Sequence, residues 1–230
     1  MNRFFPAALA AALALPGIAS AATVSFDVEA QARITLTSAT FADSGADAIG
    51  SLTLTHAIDL VDEFPEASGN ATAAAVFTPN ETDGSVRSRV TGTAGGPFGS
   101  SSADAEGRFT SIFENTSDTL AIDLVFDFAA LLSQISTGAG VSTAASAFVE
   151  IQDGSGPIFR REVSLFDPDL SFTGEVSLSL GAGETIYAIS YADAFGDAFV
   201  FDPAPIPVPA ALPLLLAGLG GLAFLRRHRG

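Results

Sequence analysis

Cysteine, lysine and tryptophan are absent from this 230-residue chain, and histidine occurs only twice. Without cysteine there is no disulfide, no thiol nucleophile and no thiolate metal site, so the fold must be held by its core alone. Positive charge is scarce as well. All 26 acids lie between Asp27 and Asp202 against six arginines, Arg33, Arg87, Arg89, Arg108, Arg160 and Arg161, so that segment is near −20. Such a surface repels phosphate backbones and anionic lipid, which argues against nucleic acid as a partner. It suits a soluble protein in a salty medium, although oxygen-rich surfaces can also gather divalent cations. Nineteen phenylalanines stand against two tyrosines. Carbohydrate platforms favour the amphipathic rings of Trp and Tyr, whereas Phe belongs to cores, so the aromatic balance weighs against a sugar platform without excluding one.

Recognisable catalytic grammar is missing too. His228 sits in a basic tail, and His56 lies on the apolar side of an alternating run, with no marked partner for general-base work. A strand-end or core histidine is the expectation. There is no G-x-S-x-G or H-E-x-x-H pattern, and Asp153-Gly154-Ser155-Gly156-Pro157 reads as a turn. The acids offer calcium candidates at Asp167 and Asp169, which flank a proline, and at Asp193 and Asp197 before a linker. They lack the D-x-D-x-D-G spacing of a calcium loop, so solvated turn residues are expected there, with no metal and no cofactor. Asn70, Asn80 and Asn115 each begin an N-x-[ST] triplet, a weak signal for glycan acceptors in a chain rich in Ser and Thr.

What the chain does contain is alternation. Leu52, Leu54, His56, Ile58 and Leu60 share one side of a run, and Leu120, Ile122, Leu124, Phe126 and Phe128 share another, opposite Asp123 and Asp127. Val176, Leu178 and Leu180 alternate with serines, and Tyr187, Ile189 and Tyr191 form a further stripe. Period-two runs rich in Val, Ile, Thr and Phe predict antiparallel strands with one wet face each. Asp83-Gly84, the stretch from Gly92 to Ser102, Gly138 to Gly140, Asp153 to Pro157, Asp167 to Asp169 and Gly181 to Gly183 read as turns between them. The longest helix candidate, Phe128 to Gln134, amounts to little more than a turn. The expectation is a single all-β domain over 22–202, an antiparallel β-sandwich of jelly-roll-like form.

Both ends read as processing segments. Met1 to Ala21 has one early arginine, an apolar stretch and a small-residue exit, Ala19-Ser20-Ala21. This is a secretory signal peptide expected to be removed before Ala22, which implies Sec export and signal peptidase. At the other end, Pro203, Pro205, Pro207 and Pro209 force an extended spacer over 203–209. Residues 210–225 then carry no charge and would span about 24 Å as a helix, short of a hydrocarbon core of about 30 Å unless Pro207 onward contributes. Arg226, Arg227 and Arg229 would hold their end cytoplasmic and leave the β domain outside.

Ile206-Pro207-Val208-Pro209-Ala210, the following Ala-Leu-Pro-Leu-Leu-Leu-Ala-Gly-Leu-Gly-Gly-Leu and the terminal arginines resemble the VPLPA-CTERM sorting signal, a variant of the PEP-CTERM class. Ile206 stands for Val, Val208 for Leu, and His228 interrupts the arginines. The resemblance covers about the last 25 residues of the chain, 206–230. It implies an inner-membrane intermediate, recognition by an exosortase-type membrane protease, and delivery to the cell surface or extracellular matrix. The stretch "FENTSDTLAIDLVFDF" also resembles the Phe-rich β domains attached to such tails. The function to expect is structural or adhesive, without enzymatic activity and associated with exopolysaccharide or biofilm. The alternatives are a carbohydrate- or calcium-binding surface module and, further off, a glycosidase, which needs two facing acids.

Overall fold

Alternation along the first strand sets the pattern for the whole molecule. In β1 (Thr23–Phe41) the residues Val24, Phe26, Val28, Ala30, Ala32, Ile34 and Leu36 are all buried, while their neighbours face outward. A bulge at Thr37 then shifts the parity, so that Ala39 takes the buried side. The computed structural model describes residues 23–68, 70–77, 83–96, 99–167 and 170–200, apart from the side chains of 58–77.

Nine further strands follow: β2 (Leu52–Ser68), β3 (Asn70–Phe77), β4 (Asp83–Gly95), β5 (Ser100–Asn115), β6 (Ile122–Thr137), β7 (Val141–Asp153), β8 (Gly156–Ser164), β9 (Ser171–Leu180) and β10 (Thr185–Phe199). A short 3-10 turn, Ile49–Ser51, precedes β2. The strands form two five-stranded sheets, β3-β4-β1-β6-β9 and β2-β5-β10-β7-β8. Every pairing is antiparallel. The domain is therefore all-β, with two antiparallel sheets packed face to face.

Phe128–Gln134, the helix or turn candidate, is instead part of β6. That segment pairs with β1 along its length and, as far as Leu131, with β9 on its other side. Phe128, Ala130 and Leu132 face the core. Two-sided ladder bonding and burial outweigh a local composition that would tolerate a helix. Asp83-Gly84 likewise opens β4, opposite Thr35 and Ile34, rather than forming a turn. Gly84 is there because the Phe109 ring lies where its side chain would be.

The sheets approach closely where β4 crosses β10. Ser88 Oγ donates to the Ala192 carbonyl (2.9 Å), and Ser190 Oγ donates to the Gly84 carbonyl (2.7 Å), both across the interior. These buried hydroxyls are satisfied by the opposite sheet, so the small residues cost little desolvation. The Phe26 ring lies over Gly92, its partner on β4, and against Gly196 of β10 in the facing sheet. Away from this crossing, aromatic pairs fill the wider interior. Phe113 meets Phe126 edge-on with centroids 5.2 Å apart, and Phe128 contacts Phe159 and Phe172.

Both ends of the domain lie at one end of the sandwich. Gly138 abuts Val24 at the start of β1. Phe199 N bonds Gly140 O (2.9 Å) and Val200 N bonds Gly99 O (2.8 Å), at the close of β10.

Candidate functional site

Two outward surfaces and one turn cluster gather the domain's polar chemistry. The first surface is the outer face of the β2-β5-β10-β7-β8 sheet. Tyr187 and Tyr191 stand on it along β10 with Ile189 between them, itself covered, and the intervening Ala188, Ser190 and Ala192 face the core. Tyr191 stacks on Phe148 of β7 with centroids 4.7 Å apart, and the Arg160 guanidinium covers Phe148 at 4.1 Å. Arg160 also pairs with Glu150 (3.0 Å) and Glu162 (2.9 Å). The Phe148 ring is thus engaged by both Tyr191 and Arg160.

Beside this stack, register places Asp193 next to Glu106, and Phe195 next to Asp104. Burial first, then the Asp104 and Glu106 charges, push the Asp193 carboxyl up to about 6. Burial, the same three carboxylates and a hydrogen bond to Glu106 push the Tyr191 phenol well above its ordinary value. A carboxyl whose folded-state pKa is raised stabilises the fold below its unfolded pKa, and loses that contribution as pH rises through the folded value. Stability should therefore fall between about pH 4 and pH 6, by about 1–2 kcal/mol once partial exposure is allowed for. Asp193→Asn should remove that fall, raising the melting temperature at pH 7 and leaving it unchanged at pH 4. Equal melting shifts at both pH values would contradict this.

The calcium candidates are not brought together. Asp193 and Asp197 share a face of β10 but stand four residues, roughly 13 Å, apart. Asp167 instead closes the loop after β8, accepting from Ser164 N (2.6 Å) and Ser164 Oγ (3.1 Å). Asp169 lies outside the described residues. Among the described residues no group of three or more His, Asp or Glu is arranged to hold a metal ion.

The turn cluster at 153–157 joins β7 to β8. Asp153 Oδ1 accepts from Ser155 N (2.7 Å), Ser155 Oγ (2.7 Å) and Gly156 N (3.2 Å). These bonds hold its carboxyl below the ordinary range, and an aspartate-stabilised turn accounts for the motif. His56 sits opposite Ser111, with Nδ1 3.2 Å from Ser111 Oγ and its ring 5.2 Å from that of buried Phe109. It is a rim histidine resting on the core.

Asn115 is a residue whose structural part the sequence concealed. It is wholly buried at the end of β5. Its Nδ2 donates to the carbonyls of Leu120 (2.9 Å), Leu180 (3.1 Å) and Gly181 (3.0 Å), and its Oδ1 accepts from Ser117 N. The N-x-[ST] triplet here therefore marks a loop clamp and not a glycan acceptor.

The second surface is the outer face of the β3-β4-β1-β6-β9 sheet. Arg87 pairs with Glu29, Arg89 with Asp27 and Glu29, and Gln31 also donates to Glu29. Next to this network a depression of about 640 Å³ opens across β4, β1, β6 and β9. Arg33 lies within it, exposed, between the short side chains of Ser85 and Ala129.

The sorting residues Ile206, Pro207, Val208, Pro209 and Ala210, the arginines Arg226, Arg227 and Arg229, and the cleavage residues Ala19, Ala21 and Ala22 lie outside the described residues. Among the described residues no helix is long and apolar enough to cross a membrane. No protein-family model, curated protein or solved structure matches the chain.

Proposed function

We propose that the chain is an exported surface or matrix protein whose acidic β-sandwich is delivered by a C-terminal sorting signal and then serves a structural or adhesive role. The observation that carries this reading is the tail itself: Ile-Pro-Val-Pro-Ala, a short uncharged run containing Pro213, and a basic end at 226–229. Several features of the domain support it. The expected signal-peptidase site before Ala22 falls just ahead of Thr23, the first residue of β1. The proline spacer begins shortly after β10, and both segments join the domain at the same end of the sandwich. Either could be removed without cutting into a strand of the described residues. Seven of the nine strand connections pass from one sheet to the other, a winding we read as jelly-roll-like.

In this scheme signal peptidase acts after Ala21, residues near 210–225 hold the chain in the inner membrane, and an exosortase-type protease acts in or near 206–210. The freed domain then associates with exopolysaccharide. Intact mass of the protein recovered from the surface or medium of its producing cell tests the scheme. The expected species begins at Ala22 and ends between Ile206 and Ala210. Full-length protein retained in the inner membrane would make the tail a permanent anchor and overturn the sorting reading.

A further inference from the structure

The geometry points to a binding site for a carboxylate-bearing sugar in the depression around Arg33. The arginines of the domain are few, and each of the others has an assigned partner. Arg87 and Arg89 pair with acids, Arg160 with Glu150 and Glu162, and Arg161 lies over the Phe172 ring at 4.9 Å. Arg108 is engaged as well. Arg33 alone has no ion pair, hydrogen bond or ring contact with another described residue, although the chain has 26 acids. Its direct cross-strand neighbours, Ser85 on β4 and Ala129 on β6, carry no charge, and the diagonal acid Asp83 is bonded by Thr35 instead. An exposed guanidinium left unpaired on so acidic a surface is a fork of donors available to an outside carboxylate.

The surroundings favour a sugar over a lone anion. The depression crosses four strands, about 14 Å at ~4.8 Å per step, and its 640 Å³ lies within the range of small-molecule sites. Ala129 and Leu131 give it an apolar floor suited to the C–H face of a pyranose. Ser171 and Thr173 of β9 stand along one side with exposed side chains, and Asp83 stands on the other, so hydroxyls could be bonded from both. Asp83 already accepts from Thr35 Oγ1 at 2.9 Å, which fixes its orientation. The net charge near −20 opposes a nucleic acid. It also favours a glycan with spaced carboxylates over a dense polyanion. The choice of a polysaccharide as the source of the uronate rests on the exported, matrix-associated reading above; the cationic site itself does not.

The test titrates the full chain in detergent with a glucuronate trimer, an uncharged glucose trimer and inorganic phosphate, following the Arg33 Nε–H resonance. The glucuronate trimer should shift that resonance and bind at least about tenfold more tightly than either comparator, and its binding should weaken with salt. Arg33→Gln should weaken binding by about ten- to a hundredfold. Ala129→Leu, which fills the floor without touching charge, should weaken it too, while both variants keep the parent melting temperature. Equal affinity for the two trimers, phosphate binding as tightly as glucuronate, unchanged binding in Arg33→Gln, or no binding of any probe would each overturn the assignment. The outcomes separate cleanly from the sorting test. A correctly processed chain that ignores glucuronate removes only this inference, and a glucuronate-binding chain that stays full-length in the membrane removes only the sorting reading.

Discussion

Asn115→Ala should lower the stability of the domain by about 3–4 kcal/mol, a shift of roughly 10 °C in melting temperature for a domain of this size. The side chain closes two loops at once. Its amide donates to Leu120 on the way into β6 and to Leu180 and Gly181 at the end of β9. The backbone at the same position extends the clamp: Asn115 N bonds Glu184 O (3.0 Å), and Gly183 N bonds Asn115 O (3.1 Å). Truncation leaves carbonyls in a dry site without donors, which costs more than the net value of the bonds lost. Asn115→Asp is the sharper test, because it keeps the shape and reverses the chemistry. A carboxylate would face three carbonyl oxygens, so this variant should be less stable than the alanine one at pH 7 and recover in part when protonated at low pH. Urea unfolding at pH 7 and pH 4 measures both effects. A loss under about 1 kcal/mol in Asn115→Ala would mean that the loops hold themselves.

Where the alternation was regular, the sequence displayed the fold directly. Ile122, Leu124, Phe126 and Phe128 are buried while Asp123 and Asp127 are exposed, as period two requires. The turns at Gly138–Gly140 and Gly181–Gly183 also fall between strands, with Gly138, Gly140 and Gly183 at positive φ. The stripe on β10 was legible as a strand but not as a face. Tyr187 and Tyr191 lie on the outward side of β10 and are partly exposed, and Ile189 between them is covered, while the crossing with β4 leaves room only for Ala188, Ser190 and Ala192 on the inward side. Inter-sheet distance is a property of two strands far apart in sequence, and no local pattern carries it. Phe128–Gln134 was misread for the same reason, since its two ladder partners lie elsewhere in the chain. The candidate sites divide similarly. Asp153 and Asp167 read as turn acids and are turn acids. The isolation of Arg33 was invisible, because it depends on Ser85 and Ala129 arriving beside it through two different pairings.

The close crossing of the sheets leads to the second large effect. A Cβ at Gly196 would fall inside van der Waals contact with three atoms of the Phe26 ring. The ring cannot retreat toward β4, because the Gly92 side is closed in the same way and Ser101 Oγ lies beside it. Gly196→Ala should therefore cost about 3 kcal/mol, near the upper end for overpacking, even though alanine suits a strand better than glycine does. Phe26→Ala alone should cost about 3–5 kcal/mol by emptying the same space. If the two positions share one volume, the losses cannot add. Gly196→Ala combined with Phe26→Leu should be more stable than the sum of its single variants predicts, by about 1–3 kcal/mol. Denaturant melts of the four proteins in that cycle measure the coupling directly. Additivity within about 0.5 kcal/mol would show that Gly196 serves the strand and not the ring, and the tight crossing would then need another cause.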